Sequence, residues 1–193
     1  MLKIDDIARP GGIAMFSKKA KIAAGASIFA LAVIGAVFLG GGCPLTEPVS
    51  TQGGSYAAVK EEAFRFTKDD GKASEIASYV EDASNDTGVP PELLASVIEL
   101  ESGFDASAVS DNGAIGLMQV GKERASELGL DASKPADNVL AGARILQECG
   151  ARGNVRKAAG CYYDGKGKTT PAGEEYAERA AKIMSGISAH GKI

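Results

Sequence analysis

The sequence predicts an all-α domain carried behind a single N-terminal membrane-spanning helix and a tether. Three observations predict it. From about Lys72 onward, apolar residues recur at three- and four-residue intervals in runs that end at Gly. No stretch alternates polar and apolar long enough to mark a strand. Residues 22–42, "IAAGASIFALAVIGAVFLGGG", contain no charged side chain.

The N-terminal elements follow from charge and length. Ile22 to Leu39 approaches the roughly 20 apolar residues that a helix needs to span a bilayer. Arg9, Lys18, Lys19 and Lys21 precede this segment, and no Lys or Arg follows until Lys60. The positive-inside rule then puts residues 1–21 in the cytoplasm and everything after 42 on the other side. A cleaved signal peptide normally has a shorter apolar core and an A-x-A-like exit site, which is missing here. Lipidation at Cys43 is disfavoured by Gly40, which stands where a branched aliphatic belongs. A retained anchor is the better reading. Residues 43–72 read as the tether, with a short amphipathic helix marked by Tyr56, Val59, Ala63 and Phe66, and residues 73–193 as the compact domain.

Within the domain, "ASEIASYVEDASNDTG" puts Ile76, Tyr79, Val80 and Ala83 on one helical face, with Gly88 as a stop. "VPPELLASVIELE" opens on prolines, which suit a first helical turn. "PADNVLAGARILQECG", "NVRKAAGCYYDG" and "GEEYAERAAKIMSGI" give three further helices. Cys149 and Cys161 lie twelve apart, and an exported domain permits a disulfide between them. Two buried thiols are the alternative.

Composition narrows the function. Net charge is −4, 24% of residues are charged and Trp is absent, so neither a phosphate-binding surface nor a base-stacking platform for nucleic acid is expected. The one histidine, His190, lies beside the C-terminus. A His-based metal site or a Ser-His-Asp triad therefore has nothing to build on, and no metal is expected.

One carboxylate stands out. On a helix advancing about 100° per residue, Glu101 falls within the apolar arc of Leu93, Leu94, Val97, Ile98 and Leu100. Glu92, Ser96 and Glu99 fall on the far side, so Glu99 reads as a solvated helix residue. A carboxyl facing apolar surroundings is expected to favour its neutral form and to suit general acid catalysis. A core-edge glutamate satisfied by a hydrogen bond near the helix end is the alternative. The following "SAVSDNGAIGLMQVG" is a loop rich in Ser, Asn and Gly that suits laying amides along a sugar chain. Asp105 and Asp111 sit among turn formers, where Asp ordinarily caps a turn, and neither is taken as a second catalytic carboxyl.

These residues carry a resemblance. "ELESGFDASAVSDNGAIGLMQV" resembles the Glu-Ser motif followed by the Gly-Leu-Met-Gln motif of the soluble lytic transglycosylases, lysozyme-like enzymes that cleave peptidoglycan glycan strands. "DNVLAGARIL" and "AAGCYYDGKG" resemble two later motifs of that family, so the similarity runs from about residue 74 to 188. Tyr163 and Lys166 stand where the family has Asn and Pro.

The resemblance implies a lysozyme-like fold and a single catalytic carboxyl, Glu101, acting as acid and then base on the MurNAc-GlcNAc bond to leave a 1,6-anhydro product. It implies that Ser110 holds the acetamido group, that Met118 and Gln119 line the sugar groove, and that Tyr162 hydrogen-bonds near Glu101 or the substrate. No cofactor is implied. The implied partner is peptidoglycan, with the anchor in a bacterial inner membrane and the domain in the periplasm. A secretion or conjugation complex, or a phage virion, is the expected setting. A hydrolytic muramidase and a non-catalytic peptidoglycan-binding module are the competing readings.

Overall fold

The computed structural model of the chain describes residues 52–168 and 170–190. The apolar segment 22–42, its basic flank and Cys43 lie outside these residues. Among the described residues, no helix is long and apolar enough to cross a membrane.

Seven helices and one small ribbon make up the described body: α1 (Gln52–Thr67), α2 (Asp70–Thr87), α3 (Pro91–Ser102), β1 (Ala114–Ile115), β2 (Val120–Gly121), α4 (Lys122–Glu127), α5 (Pro135–Glu148), α6 (Val155–Asp164) and α7 (Pro171–His190). Local chemistry sets most of their ends. Asp69 caps α2 by accepting from the Lys72 backbone N–H, and Gly88 stops it in the left-handed region at φ 68°. α3 begins on Pro91 and stops at Gly103, φ 59°. Asn154 caps α6 by accepting from the Lys157 N–H.

α3 is the axle of the fold, packed by α1, α2, α5, α6 and α7. Leu93 through Ile98 are buried without interruption, Ser96 included, so this helix is enclosed on nearly every side. The Ser96 hydroxyl is satisfied within the helix by donating to the Leu93 carbonyl at 2.8 Å.

Three features differ from expectation. The amphipathic helix placed in the tether is sixteen residues long and belongs to the core. Its Ala58, Val59, Glu62 and Ala63 are buried, and it packs on α2, α3 and α7. The compact body therefore takes in α1, from Gln52, rather than beginning near Lys72. The antiparallel ribbon, with Ala114 opposite Gly121 and Ile115 opposite Val120, was not legible because two-residue strands cannot show alternation. Helix α4, six residues long, is too short to show a period.

Cys149, at the end of α5, and Cys161, on α6, are joined as a disulfide with their Cα atoms 5.8 Å apart. Closing a loop of this size in the unfolded chain contributes on the order of 3 kcal/mol. The bridge fixes α6 against α5, and α6 carries Tyr162 and Tyr163.

Candidate active site

Glu101 lies in the last turn of α3, half-buried, two residues before Gly103 ends the helix. The Tyr176 hydroxyl, from α7, donates to its Oε1 at 2.9 Å. Tyr176 is only 6% exposed, so the donor is held inside the protein while the acceptor, Glu101, is half-buried. The ring of Tyr163 lies against that of Tyr176, with centroids 5.1 Å apart and planes inclined at 32°. Tyr163, the residue standing in place of the family's Asn, thus buttresses the tyrosine that holds the carboxyl.

The end of α3 is stitched to the loop that follows it. The hydroxyl of Ser102, next to Glu101, reaches the Leu117 carbonyl at 2.8 Å. The loop folds on itself through a bridge between Val109 and Ile115 and a bond from the Gly116 N–H to the Ala108 carbonyl at 2.8 Å. Ser110 closes the tight turn within it: its Oγ accepts from the Ala114 N–H at 3.0 Å, and its own N–H donates to the Ala114 carbonyl at 2.9 Å.

Gln119 stands in the left-handed region at φ 49°, a conformation that costs a residue with a Cβ on the order of 1 kcal/mol. Its side-chain amide offsets this cost by donating to the Ala108 and Gly116 carbonyls at 3.1 and 3.0 Å. The expectation that Met118 lines a groove is not met by its side chain, which is 0% exposed. It lies over Gly142 of α5, where a Cβ would stand 2.6 Å from the Met118 Cε, so only glycine leaves room. The backbone of Met118 is used instead: Tyr162 donates its hydroxyl to the Met118 carbonyl at 2.7 Å. Of the residues singled out from sequence, Ser110, Met118, Gln119 and Tyr162 all meet in this one loop assembly.

Asn138 was not singled out, yet it is the peg on which the loop hangs. Fully buried at the start of α5, it accepts from the Met118 N–H at 2.8 Å and donates to the carbonyls of Ile115 and Ala132 at 2.8 and 3.0 Å. Tyr176 was missed too. Its signal was a lone Tyr on the face of α7 shared by Ala177, Ala180 and Ile187, all buried. Replacing Tyr176 by Phe removes a hydrogen bond to a carboxyl, worth about 1.5–3 kcal/mol. The expected result is a melting temperature lower by several degrees, read by thermal unfolding.

The other carboxylates sort clearly. Asp105 accepts from both the Oγ and the N–H of Ser107, at 2.6 and 2.8 Å, and these bonds hold it below the usual carboxylate range. It is a turn cap, and Asp111 is exposed on the same loop. Glu99 is not the solvated residue that helix geometry suggested. It is half-buried, its Oε2 is fully buried, and burial first, then the neighbouring Glu62 carboxylate, push its carboxyl above the ordinary value of 4.5. The face on which it lies is covered by α1.

Among the described residues, no group of three or more His, Cys, Asp or Glu side chains is arranged to hold a metal ion. Two grooves elsewhere, of about 180 Å³ between α1 and α2 and about 650 Å³ beside the disulfide, are not lined by Glu101.

Comparison with known proteins fits this architecture. The model of the transglycosylase SLT domain matches residues 78–185, from α2 into α7. A protein of Enterobacteria phage PRD1 named "Transglycosylase" is 32% identical over 108 residues, covering 55% of this chain and 40% of that relative. The match therefore spans less than half of the phage protein, and α1 precedes the stretch matched by the family model. With the family model covering more than half of the chain, and covering the helix that bears Glu101 together with the loop hung from Asn138, the chain belongs to the transglycosylase SLT domain family.

Proposed function

We propose that this protein is a peptidoglycan lytic transglycosylase in which Glu101 acts first as general acid and then as general base. The observation that carries the reading is the buried Tyr176 hydroxyl bonded to Oε1 of Glu101 at 2.9 Å, at the helix end where the loop is fastened. A donor on one oxygen fixes the carboxyl plane and so orients the other oxygen for proton transfer.

The steps balance without a second carboxylate or a water. Protonated Glu101 gives its proton to the oxygen linking MurNAc to GlcNAc, and the bond from that oxygen to the anomeric carbon breaks. The acetamido carbonyl of the same MurNAc stabilises the positive charge left at that carbon. Ionised Glu101 then takes the proton of the MurNAc 6-hydroxyl as its oxygen closes onto the anomeric carbon, giving the 1,6-anhydro ring. Most glycosidases use a second carboxyl as nucleophile or to activate water. Asp105 is unsuited to that work because both of its Ser107 bonds commit it to a turn.

Ser110 is assigned to the acetamido group. Its oxygen accepts from Ala114 N–H, which leaves the hydroxyl proton to donate. Gln119 and Met118 shape the sugar-binding wall through the backbone conformation they hold, and Tyr162 locks that wall to α6.

The charge asymmetry around residues 22–42 supports anchoring in a bacterial inner membrane, with the enzyme in the periplasm. Peptidoglycan strands are the substrate, and local opening of the wall is the role. The PRD1 relative supports a phage particle crossing the envelope as the setting, with a secretion or conjugation apparatus as the other setting of the same kind. Co-purification with virions or with an envelope complex tests this, and an evenly dispersed, unpartnered protein speaks against both.

The test of the reaction is mass spectrometry of purified peptidoglycan after digestion. The expected product ends in 1,6-anhydro-MurNAc. A reducing end heavier by one water would make the protein a muramidase, and undigested glycan would make it a binding module.

A further inference from the structure

Helix α1 carries a buried acid, Glu62, that the proposed chemistry does not use. It is 5% exposed, and both of its oxygens accept from Nη1 of Arg65, one turn along the same helix, at 3.1 and 2.9 Å. Facing it from α3 is Glu99, whose buried Oε2 has no hydrogen-bond donor among the described residues. Two ionised carboxylates can only accept, so between them they leave one buried oxygen unsatisfied and two like charges enclosed. With one proton between them, the same contact becomes an O–H···O⁻ hydrogen bond, among the strongest available to side chains. The orphan oxygen and the buried repulsion then disappear together.

We infer that Glu99 and Glu62 share one proton, and that this contact fastens α1 onto the helix that carries Glu101 and slackens when the proton leaves. The surroundings of the pair agree with this. The charged groups acting on Glu99 are Glu62 and Arg65 from α1 and Arg179 from α7. Arg65 is bound to Glu62 and offers Glu99 only its field, so it does not supply the donor that the buried Oε2 of Glu99 lacks. Close to the pair α1 is held by apolar contact: Ala58, Val59 and Ala63 are buried, and Phe66 rests against Phe104 with ring centroids 5.3 Å apart, while nearer its start Ser55 donates to Oε1 of Glu92 at 3.0 Å. The proton pair is thus a polar fastening between α1 and α3 in addition to the Ser55–Glu92 bond, and its Glu99 lies two residues from Glu101. It is a positioning device contributed by a helix that precedes the matched family stretch.

The sign follows from the direction of the shift. Folded Glu99 keeps its proton at pH values where the unfolded chain, titrating near 4.5, has lost it. The folded state binds more protons across that window, so this group's contribution to stability falls as pH rises from about 4.5 through its raised value.

The test uses the full chain and reads stability, so it stands apart from whether glycan is cleaved. Glu99→Gln presents Glu62 with an amide N–H that no pH removes. It should melt on the order of 3 °C higher than wild type near pH 8, match wild type near pH 5, and slow amide exchange in α1 at the higher pH. In wild type, the Glu99 carboxyl carbon should titrate by NMR above 4.5, and Glu62→Gln should move that midpoint back toward 4.5. An unchanged pH difference between Glu99→Gln and wild type, or a Glu99 midpoint at its ordinary value, would overturn the proposal.

Discussion

Glu101→Gln is expected to lower the rate of glycan cleavage by roughly 10²–10⁴-fold, the range associated with one well-placed general acid–base group. The substitution is nearly isosteric, and the amide carbonyl still accepts from the Tyr176 hydroxyl, which donates to Oε1 in the native protein at 2.9 Å. The fold should therefore persist, with a melting temperature within a few degrees of wild type. What is lost is the proton: an amide neither protonates a glycosidic oxygen nor takes a proton from a 6-hydroxyl. Initial rates of muropeptide release from purified sacculi, measured beside thermal unfolding, separate the two effects. Cleavage at the native rate would remove Glu101 from the chemistry.

Asn138→Ala is expected to be the most damaging single substitution to the fold around the site. Asn138 is fully buried and satisfies three backbone groups at once: the Met118 N–H and the carbonyls of Ile115 and Ala132. Truncation removes all three bonds, at about 1–3 kcal/mol for each group left unsatisfied. A loss on the order of 4 kcal/mol follows, a large part of the 5–15 kcal/mol that holds an ordinary domain together. The melting temperature should drop by about 10 °C. Activity should fall further than stability, because the loop that Asn138 hangs is the one fastened to the Glu101 helix through Ser102. Neighbouring Gly116 belongs to the same device: a Cβ there would stand 2.6 Å from Nδ2 of Asn138. Thermal unfolding and cleavage rates of the variant check both expectations, and native-like melting would mean that water or a relaxed loop replaces all three bonds.

The helices were legible because their signals are local. Gly88 and Pro91 act within a turn of the ends they set, so they can be read without knowing the fold, and Asp69, Gly103 and Asn154 set theirs in the same local way. Glu101 was legible for a similar reason: its position in the apolar arc of α3 and its spacing to the loop motif are properties of one continuous stretch. Glu99 was misread because helix geometry says which way a side chain points and not what covers it. The covering element, α1, has its buried positions at Ala58, Val59, Glu62 and Ala63, a stripe of small residues broken by an acid. Its own residues show a short amphipathic helix but not which element that helix packs on. Met118 was misplaced for a related reason, since the gap that receives it exists only because Gly142 of another helix lies opposite.

By itself, then, the amino-acid sequence determined the helical class, most helix ends and the acid at the end of α3, because each depends on residues a few positions apart. Only the tertiary structure decided what that acid touches. Tyr176 lies 75 positions from Glu101, and the Met118 N–H reaches across 20 positions to Asn138. Such pairs arise when one helix face packs on another, and the packing is set by the shape of the whole core rather than by any stretch of chain. The same packing carries α1 over Glu99 and half-buries a residue that its own helix points outward.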